Sequence, residues 1–187
     1  MRKTYRLLLI PILFLVPSCY IVTAVHPFCA EEDMFFDRAL LGEWVCESDD
    51  MGDFIFRKGV KSLYDVTYIQ GEISTQFLCA LFKLEGMNYL NFFPVVSDSV
   101  FFYSLHLIPL HSVMQCSISE DELVLSPLDY DWLVEGLKSE DLTEMNFILF
   151  DERYILSSET EHLREFLIDN ARNKKAFLVI ETWKKKN

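Results

Sequence analysis

The segment Thr75–Leu84 (TQFLCALFKL) limits the fold more than any other. From Phe77 onward both alternating faces are apolar: Phe77, Cys79 and Leu81 on one, Leu78, Ala80, Phe82 and Leu84 on the other. Side chains of a strand point alternately to opposite faces. A strand apolar on both sides needs cover on both. One cover is expected to be the interior of a barrel, the other a helix lying against its wall.

Further strand-like segments recur at roughly 8–12-residue spacing with turn residues between them, the pattern of an all-β barrel or sandwich. They are Trp44–Glu47, a short Phe54–Arg57, Leu63–Ile69, Asn88–Phe93, Val100–Leu105, Ser112–Ile118 and Glu122–Leu125. In Leu63–Ile69 the apolar face is Tyr64, Val66 and Tyr68. Glu85-Gly86 reads as a hairpin turn after Leu84. Asn146–Phe150 and Tyr154–Leu156 read as strands around the turn Asp151-Glu152-Arg153. Ala176–Trp183 reads as the last strand, and Lys184–Lys186 as a solvated basic tip.

Two helices are available to cover the wall. Asp129–Leu137 opens on an N-cap Asp and sets Trp132, Leu133 and Leu137 near one face. Glu159–Ala171 places Leu163, Phe166 and Leu167 at helical spacing, with Ser158 and Glu161 spaced as a capping box. Met34–Leu41 reads as a short helix or turn. The expected fold is mainly β: an antiparallel barrel with one or two flanking helices.

The N-terminus indicates the compartment. Arg2, Lys3 and Arg6 precede Leu7–Val16 (LLLIPILFLV), and Pro17-Ser18-Cys19 follows. A basic stretch, an apolar stretch and a small residue before a cut make up a secretory signal. Leu15-Val16-Pro17-Ser18-Cys19 also resembles the lipobox of bacterial lipoproteins, in which the Cys is lipidated and becomes the first mature residue; Pro17 departs from that pattern. The resemblance implies lipidation of Cys19. Tyr20 follows instead of the Asp that marks inner-membrane retention in those proteins, which favours the outer membrane. Two alternatives stand beside this reading: cleavage after Val22-Thr23-Ala24, or retention of Leu7–Ala30, which is free of Asp, Glu, Lys and Arg and long enough to span a bilayer. Each puts the folded part outside the cytoplasm. The chain divides into a signal peptide at 1–18, a tether and short helix at 19–40, and one barrel domain at 41–187.

With Cys19 lipidated, Cys29, Cys46, Cys79 and Cys116 remain, and four cysteines allow three pairings. The apolar neighbours of Cys46, Cys79 and Cys116 favour reduced core residues on strands.

Leu41-Gly42-Glu43-Trp44 resembles the first signature of lipocalins and related calycins, whose G-x-W closes one end of an eight-stranded barrel. The resemblance implies that Gly42 and Trp44 are barrel-closing residues. The other lipocalin signatures are missing: Leu128-Asp129-Tyr130 only approaches T-D-Y, and no Arg marks the last strand, leaving Lys184 as a candidate to stack on Trp44. The segments Leu105–His111, Asp131-Trp132-Leu133, Leu156–Phe166 and Lys175-Ala176-Phe177 resemble a group of uncharacterised bacterial lipoproteins with a lipocalin-like barrel. That resemblance spans roughly Gly42–Phe177 and implies fold and location but no activity.

No catalytic motif is legible. There is no G-x-S-x-G, no phosphate loop and no C-x-x-C. His106 and His111, five apart across Pro109, do not make a metal site, which wants three or four converging ligands. Asp129, Asp131, Glu135 and Glu140 read as a solvated helix face. The net charge of −12 argues against nucleic acid as a partner. No enzyme, cofactor or metal is expected.

The aromatic residues carry the best functional signal. Tyr64, Tyr68, Phe77, Phe82, Tyr89, Phe101 and Tyr103 are the candidates to line a pocket, since a small barrel either fills its interior or holds one apolar ligand. The expected protein is a membrane-anchored envelope lipoprotein that takes a small hydrophobic ligand or lipid. Its alternative is a structural or interaction lipoprotein with a filled barrel, contacting another envelope protein.

Overall fold

The computed structural model describes residues 21–48, 51–95, 108–178 and 181–186. The signal segment, Cys19 and the expected strand Val100–Leu105 lie outside the described residues.

Eight strands close into an antiparallel barrel: β2 (Gly42–Cys46), β3 (Asp53–Lys58), β4 (Leu63–Gln70), β5 (Ile73–Leu84), β6 (Met87–Pro94), β7 (His111–Ile118), β8 (Glu122–Pro127) and β11 (Glu181–Lys185). Each pairs with the next in sequence from β2 to β8, and β11 completes the ring between β8 and β2. Closure leaves the barrel without a free edge. The hairpin expected at Glu85-Gly86 is present, with Leu84 opposite Met87 and positive φ at both turn residues.

Pairing register sorts the side chains. Trp44, Phe54, Tyr68, Phe56, Val66, Tyr64, Cys79, Leu81, Leu90, Phe92, Met114, Leu123, Leu125 and Trp183 belong to the core inside the ring. The opposite face of β5 to β7 offers Ala80, Phe82, Leu84, Tyr89 and Val113 to a second core. The segment apolar on both faces therefore has the two covers its sequence demands.

The second cover comes mainly from the chain between β8 and β11. It holds α1 (Tyr130–Lys138), a hairpin of β9 (Phe147–Phe150) and β10 (Arg153–Leu156), and α2 (Thr160–Asn170). Leu133 of α1 and Leu163, Phe166 and Leu167 of α2 are buried against the barrel wall. Asp129 caps α1 as expected, its carboxylate accepting from the Trp132 N–H at 2.6 Å.

Four expectations change. Ser158 does not cap α2: its buried hydroxyl accepts from the Asn146 N–H at 2.7 Å, and Glu159 is the N-cap with no side-chain bond. The last strand is displaced from Ala176–Trp183 to Glu181–Lys185. Ala176 and Phe177 are drawn into the second core instead, where Phe177 bridges to Leu128. Lys184–Lys186 is therefore not a free tip. Lys184 pairs with Glu122, and the Lys186 ammonium lies 2.8 Å from the Glu43 carboxylate.

The segment expected as a tether is also packed over most of its length. β1 (Thr23–Ala24) sits between β7 and β10, antiparallel to the first and parallel to the second. Val22, Ala24, Phe28 and Cys29 are buried in the second core. Burial of Val22 and Phe28, worth about 1.5–3 kcal/mol each, favours packing over an extended tether. Asp33 holds Arg164 of α2 through both carboxylate oxygens at 2.7 Å.

Candidate functional site

The closed end of the barrel is built from the chain leading into β2. A short 3-10 turn, Arg38–Leu40, lies across the opening, capped by the Asp37 carboxylate. Leu40 is buried as a stopper. The Trp44 indole N–H donates to the Leu40 carbonyl at 2.8 Å. The Tyr64 hydroxyl accepts from the Asp37 N–H at 2.7 Å and donates to the Asp37 carbonyl at 2.9 Å. Phe36 stacks on the Tyr64 ring with centroids 5.0 Å apart.

Gly42 turns the chain from this stopper into the strand at φ 126°, a conformation side chains oppose. A Cβ there would also press on the Lys185 side chain at 3.2 Å. Lys185, not Lys184, covers Trp44. Its ammonium lies 4.9 Å from the ring centre and donates to the Ala39 carbonyl at 2.7 Å. Register decides between the two lysines: Lys185 pairs with Trp44 and shares its face, whereas Lys184 points the other way toward Glu122.

The second interior Trp is tied in the same manner toward the other end. The Trp183 indole N–H donates to the Gly52 carbonyl at 2.9 Å, and the Gly52 N–H donates to the Tyr68 hydroxyl at 2.9 Å. A Cβ at Gly52 would come within 2.3 Å of the Ile69 carbonyl oxygen, so only glycine lets the loop lie this close.

Between the two ends the interior is bridged by rings. Phe54 of β3 meets Tyr68 of β4 at 4.9 Å, Trp183 of β11 at 5.5 Å and Phe92 of β6 at 5.9 Å. β3 and β6 are three strands apart around the barrel. The Phe54–Phe92 contact therefore crosses the lumen. Such tilted and edge-on pairs add to burial about 0.5–1.5 kcal/mol each.

The candidate pocket residues fall in three places. Tyr64, Tyr68 and Phe77 belong to the interior core, with Tyr68 and Phe77 partly buried. Phe82 and Tyr89 face outward into the second core, stacked on each other at 5.2 Å. Their alternation in the sequence does not distinguish the lumen from a covered wall. Phe101 and Tyr103 lie outside the described residues. Tyr89 is fixed further by Gln115, whose amide N–H donates to the Tyr89 hydroxyl at 3.2 Å and to the Ala171 carbonyl at 2.7 Å.

Cys29, Cys46, Cys79 and Cys116 are free thiols. Burial pushes Cys29 up to about 12, with Asp33 adding to it, and pushes Cys116 up to about 12. Burial raises Cys79 well above the ordinary thiol range, and the neighbouring Cys116 adds to it. Cys29, Cys79 and Cys116 are protonated packing residues, since the thiolate is the reactive form. His111 is held low by burial and by the nearby His26; it packs on Phe93 at 4.6 Å and lies 3.1 Å from the Asn91 amide. His106 lies outside the described residues. Among the described residues no group of three or more His, Cys, Asp or Glu is placed to hold a metal ion.

A cleft of about 490 Å³ lies outside the barrel, between α2 and residues 141–145. Asp141, Glu144, Glu165 and Asp169 line it with His162 and Phe166, so it is acidic. Sequence reasoning missed this cleft and the Lys185 stack. The lysine was legible only as one of three successive basic residues. The four carboxylates come together only when α2 folds against the turn before it.

No protein-family model, no curated protein and no solved structure matches this chain significantly.

Proposed function

We propose that this chain is an exported envelope protein, anchored to the membrane through Cys19, whose lipocalin-like barrel is filled and serves as an interaction scaffold. The observation that carries this reading is Phe54, which touches rings from β4, β6 and β11 and occupies the lumen where a ligand would lie. A carrier of hydrophobic molecules needs that volume empty; pockets for such ligands run to some 300–1,000 Å³. The acidic outer surface, including the cleft beside α2, remains for a basic partner in the envelope.

Packing of the first described residues supports processing at Cys19 over processing after Ala24. A cut after Ala24 removes Val22 and Ala24 from the second core and β1 from the sheet. A cut before Cys19 leaves all of them in place. Attachment of several acyl chains at that residue would anchor the domain stably, since one chain alone binds only marginally.

Two assays test the proposal together. Cells grown with a traceable palmitate analogue should label the wild-type chain and not Cys19→Ser, which should leave the membrane fraction. Purified protein titrated with a fluorescent fatty acid should show no saturable binding. An unlabelled wild-type chain sinks the anchor, and saturable binding sinks the filled scaffold.

A further inference from the structure

β9 carries four successive large apolar residues, Phe147-Ile148-Leu149-Phe150, and all are exposed, from 43% at Phe147 to 68% at Phe150. β9 is the last strand of the sheet, paired on one side only, with β10. A long apolar edge of this kind is a liability unless something covers it.

The direction of β1 indicates what does. β1 runs parallel to β10, with Thr23 opposite Ile155, and Ile155 is opposite Ile148 of β9. β1 and β9 are thus two strand spacings apart, roughly 10 Å. Following β1 backward in the same register brings Ile21 level with the Arg153–Phe150 pair, at the turn end of the hairpin. Ile21 is itself exposed. Cys19 is two residues further, at most about 7 Å of extended chain. The chain therefore leaves the fold toward its apolar leader on the side where the hairpin tip points.

We propose that the β9–β10 hairpin, together with Ile21, beds into the lipid surface beside the N-terminal anchor and fixes the orientation of the barrel on the membrane. This rests on the anchored reading above. Phe147, Ile148, Leu149 and Phe150 enter the boundary between headgroups and acyl chains. The hairpin lies with its β9 edge along the surface rather than tip first, so Asp151 and Glu152 at the turn stay at headgroup level and limit the depth. Their charge, and the net charge of the whole chain, select a zwitterionic surface over an anionic one.

The test uses the full-length chain, expressed with its leader, purified from membranes and reconstituted in phosphatidylcholine–phosphatidylethanolamine vesicles with and without brominated phosphatidylcholine. Phe150→Trp and Ile148→Trp each add an indole on β9; Glu72→Trp adds one in the exposed turn between β4 and β5, at the opposite end of the barrel, as a control. The added emission of the two β9 variants should fall by roughly half in brominated vesicles, as expected for side chains about 5–10 Å into the interface, and that of Glu72→Trp should not change. Vesicle-bound protein with unquenched β9 indoles overturns the proposal while leaving the anchor intact. So does a cross-linked dimer that shields β9 from the quencher. Protein that fails to sediment with vesicles at all overturns the anchor and the proposal together. Stronger retention on phosphatidylglycerol vesicles than on zwitterionic ones overturns the surface preference.

Discussion

The Lys185 ammonium sits 4.9 Å above the centre of the Trp44 ring while donating to the Ala39 carbonyl at 2.7 Å, so one side chain joins β11, β2 and the turn that stops the barrel end. Cation–ring attraction contributes about 0.5–2 kcal/mol, and a hydrogen bond from a charged donor about 1.5–3 kcal/mol. Lys185→Met keeps the aliphatic stem and removes both interactions. We expect a loss of about 2–5 kcal/mol in urea unfolding, with Lys184→Met, which breaks only an exposed pair with Glu122, leaving stability nearly unchanged. Equal losses would place the stabilising contact elsewhere.

Gly42→Ala tests the turn into β2. The backbone there has φ 126°, and the new methyl group would meet the Lys185 side chain at 3.2 Å. Strain at such a position costs of order 1–3 kcal/mol. Gly86→Ala, where a Cβ meets nothing within 4 Å and φ is 84°, should share the backbone strain but not the contact. Thermal unfolding should therefore rank Gly42→Ala below Gly86→Ala, and the reverse order would show that the closed end tolerates a side chain.

Phe54→Ala opens the lumen. Removing a buried Phe costs about 3–5 kcal/mol, because surrounding groups close only part of the space left. The remaining hole is apolar, bounded by Tyr68, Phe92 and Trp183. A dry apolar cavity takes up small hydrocarbons, so benzene should raise the melting temperature of the variant and not of the wild type. A wild-type protein stabilised equally by benzene would already hold open space.

Stability should fall at both ends of the pH scale, for opposite reasons. The thiols of Cys29, Cys79 and Cys116 and the Tyr64 hydroxyl have raised pKa values in the fold, mainly through burial. The folded chain then keeps protons the unfolded chain gives up. Their contribution is complete below the ordinary thiol value of 9.0 and is lost as pH rises toward about 12. At pH 10 the part already lost is on the order of 1 kcal/mol for a thiol such as Cys116. His111 acts in the other direction. Its pKa is lowered, so the unfolded chain takes up the proton first and stability declines as pH falls below 6.5. Melting curves should be flat near pH 7–8 and drop on either side. Cys116→Ala should shallow the alkaline limb, and an unchanged limb would exclude that thiol as a cause.

The barrel was legible where one residue pattern had a single physical solution. Phe77–Leu84, apolar on both faces, needed a lumen and an outer layer, and the Asp129 cap announced α1. Gly42 and Trp44 marked the start of the ring. Other features depend on register that no local pattern carries. Nothing in Lys184-Lys185-Lys186 says which lysine faces Trp44 until Trp183 is set opposite Cys46. Phe82 and Tyr89 alternate as lumen residues do, yet a covered wall uses the same alternation. β1 is two residues long, too short to show a period, so its burial was hidden behind the leader. The exposure of Phe147–Phe150 could not be read either, because an apolar run reads the same at an edge as in a core.

Intact mass measurement of the chain, extracted from membranes in mild detergent and kept under native conditions, bears most directly on the filled, anchored barrel. The account predicts one species that starts at Cys19, carries the added mass of its acyl chains and holds no further small molecule. A chain starting at Val25 without acyl mass, or a species that retains a bound hydrophobic compound, would contradict it.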